Sequence, residues 1–181
     1  EKQNRELEQT NSLIHAKTRK IQADLKLASQ IQINMVPQRN PVLKNADFAY
    51  FYKPSKALGG DFFDFIHMEG KKKLGIFISD VSGNGVAAAL ITGMIKTLIE
   101  NAGKNKRFPE KMLQYLNQKI YGHTNEKYLT SFYGIYDTQT KILSYSRAGQ
   151  PYPLLIRNQK IMPIKSLGGL IGFWKKMDFE K

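Results

Sequence analysis

Residues 59–65 read GGDFFDF and residues 79–85 read SDVSGNG, and these two stretches set the architecture of the chain. Asp61–Met68 and Lys73–Asp80 are rich in the aromatic and β-branched residues of strands. The polar residues 69–72 between them have the composition of a turn. The sequence therefore predicts a β-hairpin in which both quoted stretches lie at the same end.

The predicted hairpin brings acidic side chains together. A turn centred near Gly70 pairs positions whose numbers sum to about 140, so Asp61 lies opposite Ser79 or Asp80. Two adjacent carboxylates repel each other unless one keeps its proton or a cation lies between them. Carboxylate oxygens favour Mg²⁺ or Mn²⁺ over zinc. The pair therefore predicts a metal site, although Asp80 could instead cap the turn into a helix that begins at Val86.

Glycines and short polar residues follow the second strand. Gly83 and Gly85 allow the backbone to turn sharply and to approach a ligand closely, so backbone groups there can serve a metal or a phosphate. Asn84 between them either orients a water or phosphate or is a plain turn residue. Asp64 alternates to the strand face opposite Asp61, which predicts a supporting or structural role rather than direct metal ligation.

Five motifs occur along the chain in a characteristic order. They are ASQIQINMVP at 28–37, YKPSKALGG at 52–60, GGDFFDF at 59–65, DVSGNG at 80–85 and SRAGQPYPLLI at 146–156. Together they resemble the SpoIIE/RsbU branch of the PPM (type 2C-like) metal-dependent protein phosphatases. The resemblance covers residues 28–175, nearly everything except the amino-terminal helix. On these motifs the chain is identified as a member of that branch, truncated at its carboxy-terminal end.

The resemblance implies an activity and a set of ligands. It implies a serine/threonine phosphatase with two Mn²⁺ or Mg²⁺ ions, acting on a phosphorylated anti-sigma-factor antagonist in bacterial partner-switching signal transduction. By the same resemblance, Asp80 bridges both ions, the Val81 carbonyl binds one of them and Asp61 contributes to the cluster. Asp61 and Asp80 are therefore the expected catalytic residues, in a hydrolysis by a metal-activated water without a covalent enzyme intermediate.

The chain also departs from the family. Asn84 and Gln150 stand where the family usually carries His, and neither position is expected to supply a metal-binding carboxylate. Family members continue beyond the equivalent of Phe179 into segments that supply the remaining carboxylates. After Asp80 the only aspartates in the sequence are Asp137 and Asp178, so the sequence predicts half of a metal site. We expect a truncated chain, a proteolytic fragment or a natural variant with lost or weakened catalysis.

The composition fits one globular core with an extension, since 41% of the 181 residues are hydrophobic and 24% are charged. Without cysteine the chain has neither disulfides nor thiolate metal sites, which fits a cytoplasmic location. No apolar run reaches the length of about 18 residues that a membrane span needs, and the charged start is no signal peptide. Because the sequence does not begin with Met, it looks like a piece of a longer chain, and a membrane anchor upstream of Glu1 stays open.

The formal charge of +13 raises the question of nucleic-acid binding. The 28 Lys and Arg residues are spread along the chain, only residues 71–73 form a run, and no RNA- or DNA-binding motif accompanies them. We therefore expect no nucleic-acid partner. Basic charge around a phosphatase cleft would instead attract an acidic phosphoprotein.

Residues 3–35 contain neither Gly nor Pro and predict one long helix that ends before Pro37. Apolar residues recur within it at seven-residue spacing, which favours a left-handed coiled coil. They are Leu7, Ile14, Ile21, Ala28 and Met35. The companion positions are often polar, so two interpretations stay open. The helix either forms a homodimer and relays the state of an upstream sensor, or it packs on its own domain.

The rest of the chain predicts strands, two helices and strands again, which is the order of an α+β protein. Further strands are predicted at Phe48–Tyr52, Tyr128–Asp137, Lys141–Arg147, Leu154–Arg157 and Lys160–Ile164, and helices at Val86–Glu100 and Phe108–Tyr121. The resemblance implies two antiparallel sheets packed face to face and flanked by helices, incomplete here. We expect a linker or coiled-coil helix at 1–37 and a phosphatase domain at 38–181.

Two functions from different classes fit the sequence. The first is metal-dependent hydrolysis of phosphoserine or phosphothreonine on a regulatory protein. The second is a non-catalytic dimeric signalling module that binds an anti-sigma-type partner through the same fold. The missing carboxylates favour the module for this chain, whereas the retained Asp61 and Asp80 favour an enzyme. We rank the enzyme first, because intact sites tend to be kept for use.

Overall fold

The structure, a computed structural model, describes residues 2–54, 56–70 and 72–181. Ser55 of the YKPSKALGG motif and Lys71 of the predicted turn lie outside the described residues. The helices are α1 (Lys2–Met35), α2 (Val86–Glu100) and α3 (Pro109–Ile120), with a 3₁₀ helix at Gly103–Arg107. The strands are β1 (Asp61–Met68), β2 (Lys73–Val81), β3 (Leu129–Asp137), β4 (Leu143–Ala148), β5 (Leu154–Arg157) and β6 (Lys160–Pro163).

The strands form two antiparallel sheets. β1, β2, β3 and β4 are neighbours in that order in a four-stranded sheet, and β5 pairs with β6 in a two-stranded sheet. The helices α2 and α3 are inserted in the chain between β2 and β3. This arrangement confirms the α+β class with antiparallel sheets, helices and a long amino-terminal helix.

One face of the four-stranded sheet is packed against α2 and α3. Because side chains alternate along a strand, Phe77 of β2 and Tyr133 of β3 both point to this face, and both are fully buried. The helices contribute apolar residues at helical spacing, which are Ile91, Ile95, Ile99, Met112, Leu113, Leu116 and Ile120. Each such side chain contributes roughly 1.5–3 kcal/mol by leaving water. This layer therefore stabilises the sheet that carries the candidate site.

A glycine in the centre of the sheet makes room for a large buried side chain. The Tyr133 hydroxyl donates a hydrogen bond of 2.7 Å to the carbonyl oxygen of Lys106 in the 3₁₀ helix. Burial raises the pKa of Tyr133 well above its usual value. Gly75 lies beside this ring on β2, where an added Cβ atom would come within 2.7 Å of the hydroxyl oxygen and 2.9 Å of a ring carbon. A side chain at position 75 would therefore collide with Tyr133.

The amino-terminal helix is largely exposed. Leu7, Ile14 and Ile21 of the seven-residue repeat are 60, 53 and 58% exposed, and Gln32 near its end is the buried residue of α1. Packing on its own domain therefore accounts only for the last turns of this helix. None of the helices in the described ranges has the length and apolar character of a bilayer-spanning segment.

The strand predicted at Phe48–Tyr52 is wrong. The segment has no strand structure, and its rings instead pack on the face of β1 that points away from α2 and α3. The ring centroids of Tyr50 and Phe63 are 4.7 Å apart, and those of Phe48 and Phe65 are 6.0 Å apart. Alternating aromatic residues are typical of a strand, but here ring packing over the sheet takes the place of a hydrogen-bonded ladder along its edge.

Replacing Gly75 with Ala should destabilise the fold by roughly 1–3 kcal/mol, because the new methyl group overlaps Tyr133 in a closely packed core. Gly93→Ala in α2 is the matched control. Its Cβ atom would meet only the Met35 side chain, at 3.6 Å, and alanine favours a helix over glycine by up to about 1 kcal/mol. Chemical denaturation measures both free energies of unfolding, and equal stability of the two variants would contradict the steric argument.

Candidate metal centre

The candidate site begins with one aspartate from each strand of the first hairpin. Asp61 is the first residue of β1, Asp80 is the last but one of β2, and the strand register pairs them directly, which confirms the predicted pairing. The Val81 N–H donates to the Gly60 carbonyl at 3.1 Å, so Asp61 and Asp80 occupy the narrower, non-hydrogen-bonded position next to it. At such a position the Cα atoms lie about 4.5 Å apart and the two side chains share one face.

The negative charge of Asp61 opposes the ionisation of Asp80. Partial burial raises the pKa of Asp80, and the negative charge of Asp61 raises it further. Tyr52 donates a hydrogen bond of 3.2 Å to the Asp61 carbonyl oxygen, and burial together with the Asp61 charge raises the pKa of its hydroxyl. An ionised aspartate pair is unfavourable here without a counter-charge, which is the electrostatic condition for binding a cation.

The backbone of Val81 lies tight against Gly60. Gly60 is buried, and a Cβ atom added to it would overlap the Val81 carbonyl oxygen. Gly59 has no such constraint, since the nearest atom to its added Cβ is the Asp61 nitrogen at 3.9 Å. Of the two glycines in the GGDFFDF motif, the second is therefore the one that the position of the Val81 carbonyl requires.

A well-supported loop connects β2 to α2. Gly83 and Gly85 have φ angles of 84° and 82°, a backbone conformation that favours glycine. The Ser82 amide donates to the Tyr128 carbonyl at 2.8 Å, and the Tyr128 amide donates back to the Ser82 hydroxyl at 3.1 Å. These two bonds attach the start of the loop to the residue that precedes β3. We call residues 82–85 the metal loop, because they follow Asp80 and Val81.

Two lysines lie along the metal loop. Lys56 donates to the Asn84 side-chain oxygen at 3.3 Å, and Lys127 donates to the Ser82 carbonyl at 3.1 Å. Neither lysine forms an ion pair within the part of the chain that the structure describes. Their positive charge is therefore available to an anion at this edge of the sheet. That Asn84 orients a water or phosphate stays a prediction.

A buried glutamine joins the end of α1 to the start of the site. Gln32 donates to the Gly59 carbonyl at 2.7 Å and to the Thr92 hydroxyl at 3.0 Å, and its side-chain oxygen accepts from the Gly59 amide at 3.1 Å. Gly59 lies two residues before Asp61. Nothing in the sequence marks Gln32 for this contact, because a polar residue in an exposed helix gives no sign that its side chain is buried.

Asp64 lies on the sheet face opposite Asp61, as predicted. It is buried, its carboxylate accepts a bond of 2.9 Å from Lys96 of α2, and its other oxygen accepts from the Phe65 amide at 2.9 Å. Burial lowers the pKa of Lys96, but the hydrogen bonds and charges of Asp64 and Glu100 outweigh it, so the net shift is upward. Asp64 therefore ties β1 to α2 and is not part of the carboxylate pair.

The strand β3 adds a polar residue beside the pair formed by Asp61 and Asp80. Thr130 of β3 pairs with Asp80 in the strand register, and its hydroxyl donates a hydrogen bond of 2.5 Å to the side-chain oxygen of Gln150. In the sequence, Gln150 stands out only as a departure from the family. No local pattern could have placed it here, because Thr130 and Gln150 are 20 positions apart and meet only across the sheet.

The oxygen donors at this point fit a hard divalent cation. Asp61 and Asp80 supply carboxylates and Val81 a carbonyl, which are ligands that Mg²⁺ and Mn²⁺ prefer. Within the described ranges, no three His, Cys, Asp or Glu side chains come together as a metal cluster. Asp137 ends β3 at the opposite end of the sheet, where it pairs with Lys73, and Asp178 contacts α3. The three donors are fewer than an octahedral ion requires, so they would hold one side of it.

One protein-family model matches the larger, carboxy-terminal part of the chain. Residues 70–181, more than half of the chain, match the family model of stage II sporulation protein E (SpoIIE). The chain belongs to the SpoIIE family. The matched range contains Asp80, Val81 and the metal loop, and Asp61 lies before its start.

Curated relatives agree with this membership in the SpoIIE family. Phosphoserine phosphatase RsbU of Bacillus subtilis (strain 168) is 24% identical over 165 residues, covering 89% of this chain and 48% of that protein. Phosphoserine phosphatase RsbP of the same organism is 27% identical over 134 residues, covering 71% of this chain and 32% of that protein. The chain thus spans less than half the length of these two relatives.

Solved structures of similar shape include PP2C domains. The SiaA-PP2C domain of Pseudomonas aeruginosa matches with a TM-score of 0.73 at 22% identity, over 91% of this chain and 66% of that chain. The PP2C phosphatase domain of SpoIIE from Bacillus subtilis, solved with a fragment of its regulatory domain, matches with a TM-score of 0.56 at 21% identity, over 68% and 36%. The SpoIIE-family chain therefore has the fold that its motifs implied.

Gly60→Ala should weaken Mn²⁺ binding about ten-fold or more, because the new methyl group displaces the Val81 carbonyl from its position beside the carboxylate pair. Gly59→Ala is the matched control and should bind Mn²⁺ like the unmodified chain, since its methyl group has free space. Calorimetric titration with MnCl₂ measures both affinities, and circular dichroism checks that both variants are folded. Equal weakening in the two variants would show that the carbonyl position is not the cause.

Proposed function

We propose that this chain is the phosphatase part of a SpoIIE-family protein and that it hydrolyses phosphoserine or phosphothreonine on a regulatory protein in a metal-dependent reaction. The observation that carries the proposal is the pairing of Asp61 with Asp80 at one edge of a PP2C-like sheet. The similarity to RsbU and RsbP, both phosphoserine phosphatases, supports the same reaction.

In the proposed reaction, oxygens of this chain would hold two Mn²⁺ or Mg²⁺ ions. Asp61 and Asp80 would hold them through their carboxylates, and Val81 through its carbonyl. When bound, such ions lower the pKa of a water ligand and neutralise charge on the phosphoryl oxygens during in-line displacement. Lys56 and Lys127 would add positive charge beside the phosphate. No side chain of the protein needs to form a covalent bond to phosphorus.

We further propose a phosphorylated anti-sigma-factor antagonist as the substrate, in bacterial partner switching within the cytoplasm. The phosphoserine phosphatases among the relatives support a phosphoserine substrate. The formal charge of +13 supports an acidic protein, because opposite net charges accelerate association.

The amino-terminal helix has a proposed role of its own, which is to join two copies of this chain and to relay a signal to the site. Leu7, Ile14 and Ile21 repeat at seven-residue spacing and are each more than 50% exposed, an arrangement that a second helix would cover. Gln32 at the other end of α1 holds both backbone groups of Gly59, just before β1. A shift of α1 would therefore act on the start of the strand that carries the first aspartate.

A second function, a non-catalytic dimeric module that binds a regulatory protein, is favoured by one observation. The described residues bring two carboxylates together without a third His, Cys, Asp or Glu beside them. Such a module would use the same fold and the same exposed helix, but it would need neither Mn²⁺ nor turnover. Metal binding and hydrolysis therefore separate the two functions.

Asp61→Asn and Asp80→Asn should each reduce Mn²⁺-dependent hydrolysis of p-nitrophenyl phosphate by about 100-fold or more, because each removes a charged metal ligand. Asp64→Asn is the matched control on the opposite face. It should retain Mn²⁺ binding but lose roughly 1–3 kcal/mol of stability, since Lys96 loses its buried partner and keeps only the exposed Glu100. Release of p-nitrophenol and calorimetric titration with MnCl₂ give the two readouts.

Unchanged hydrolysis of p-nitrophenyl phosphate by either Asp61→Asn or Asp80→Asn would contradict this mechanism. An unmodified chain that is folded and dimeric but binds no Mn²⁺ and shows no turnover would favour the non-catalytic module.

In EDTA, Asp80→Asn should raise Tm by about 1–3 °C, because it removes a repulsion worth less than about 1 kcal/mol between partly exposed groups. A lower Tm would contradict the repulsion.

Ile21→Asp should convert a dimer into a monomer in sedimentation velocity experiments at micromolar concentration, because it places a charge in the proposed apolar seam. Gln22→Asp is the matched control, since it adds the same charge one position away from the seven-residue repeat. A dimer that survives Ile21→Asp would show that α1 does not form the contact between the two copies.

A further inference from the structure

Three aromatic residues form a cluster next to the metal loop. Phe173 and Trp174 are 51 and 48% exposed, and their rings meet edge to face with centroids 4.4 Å apart. Tyr128 packs against Phe173 with a centroid distance of 5.9 Å. Tyr128 also exchanges two hydrogen bonds with Ser82, the first residue of the metal loop. The cluster is therefore attached directly to the candidate site.

The backbone beneath these rings is firmly held. Asn117, buried in α3, accepts a hydrogen bond of 2.8 Å from the Gly172 amide and donates one of 3.0 Å to the Trp174 carbonyl. Ile171 exchanges two backbone bonds of 3.0 Å with Leu129 at the start of β3. The backbone that carries the rings is thus held in place, while about half of the Phe173 and Trp174 side chains faces water. Preorganised aromatic side chains supply binding energy at a low entropic cost.

Lysines flank the aromatic cluster. Lys127 precedes Tyr128 and donates to a carbonyl of the metal loop at 3.1 Å, and the exposed Lys175 and Lys176 follow the other two rings in the chain. None of these three lysines forms an ion pair among the residues that the structure describes. Glu126 precedes Lys127, and Asp178 lines one cavity with Lys175 and Lys176. The segments beside the metal loop therefore combine three aromatic side chains with three lysines and two acidic residues.

We propose that this aromatic–lysine surface (Lys127, Tyr128, Phe173, Trp174, Lys175 and Lys176) docks an acidic segment of the phosphorylated partner protein beside the metal centre. The inference rests on the proposed phosphatase function and adds the chemistry of the partner. An apolar side chain next to the phosphoserine would cover the rings, and carboxylates would meet the lysines. Exposed aromatic residues with a charged rim are typical of protein interfaces. The bonds between Tyr128 and Ser82 connect the docked segment to the metal loop.

The position of the only tryptophan in the chain makes this surface directly measurable. Two fluorescein-labelled phosphoserine peptides of equal length are compared by fluorescence anisotropy, in EDTA so that no hydrolysis intervenes. One carries Glu and Leu beside the phosphoserine, and the other carries Lys and Gly at the same positions. The acidic peptide should bind about ten-fold more tightly or better, and it should protect Trp174 from quenching by acrylamide.

Trp174→Ala should weaken binding of the acidic peptide about five-fold or more, and so should the double variant Lys175→Glu with Lys176→Glu. Phe108→Ala is the matched control, because Phe108 is also 48% exposed but lies just before α3, away from the metal loop. Its Kd should stay within about two-fold of the unmodified chain. Thermal unfolding checks each variant, and the double lysine variant decides the question if Trp174→Ala does not fold.

Equal binding of the two peptides would overturn the proposal, and so would an unchanged Kd in both the Trp174 and the double lysine variants. If Trp174→Ala abolished self-association of the chain, the occupant of this surface would be a second copy of the chain, and the proposal would be overturned. The proposal would also be overturned, in favour of nucleic acid, if oligo(dT) displaced the acidic peptide and its own binding were weakened by the same variants. If only the docking proposal is wrong, the chain still hydrolyses p-nitrophenyl phosphate. If only the proposed phosphatase function is wrong, the acidic peptide still binds in EDTA.

Discussion

The candidate metal site depends on the antiparallel pairing of β1 with β2. The antiparallel register sets Asp61 against Asp80 at a narrow position between two strands, so the backbone forces two negative charges together. Burial and this repulsion raise the pKa of Asp80, and the arrangement therefore lowers stability unless a counter-charge is present. Local arrangements that lower stability tend to mark functional sites. The apolar layer between the sheet and the helices α2 and α3 offsets the loss.

The alternation of side chains along β1 separates stability from chemistry. Asp61 and Asp64 are the same residue type three positions apart, yet they point to opposite faces of the sheet. Asp64 is buried and paired with Lys96, so it holds the strand against α2. Asp61 is exposed and faces Asp80, so it is available to a cation. The face of the sheet, rather than the identity of the residue, assigns the role.

Two buried amide side chains hold the segments that approach the metal loop. Gln32 bonds both backbone groups of Gly59, and Asn117 bonds the amide of Gly172 and the carbonyl of Trp174. An amide suits this purpose because it carries a donor and an acceptor but no charge to desolvate. One ties α1 to the start of β1, and the other fixes the aromatic–lysine surface on α3. The proposed regulation and the proposed docking would therefore act on one site through two different helices.

Local patterns predicted the long helix, the first hairpin and the carboxylate pair, because periodicity and a short turn specify them without distant contacts. The motifs likewise indicated the family from their order in the chain. The strand predicted at Phe48–Tyr52 was wrong, because alternation shows that one face is buried but not whether a ladder or ring packing buries it. The bonds from Gln32 to Gly59 and from Asn117 to Trp174 span 27 and 57 positions. Long-range packing selects such partners, since a polar side chain can bond with whichever backbone group the folded chain brings within reach.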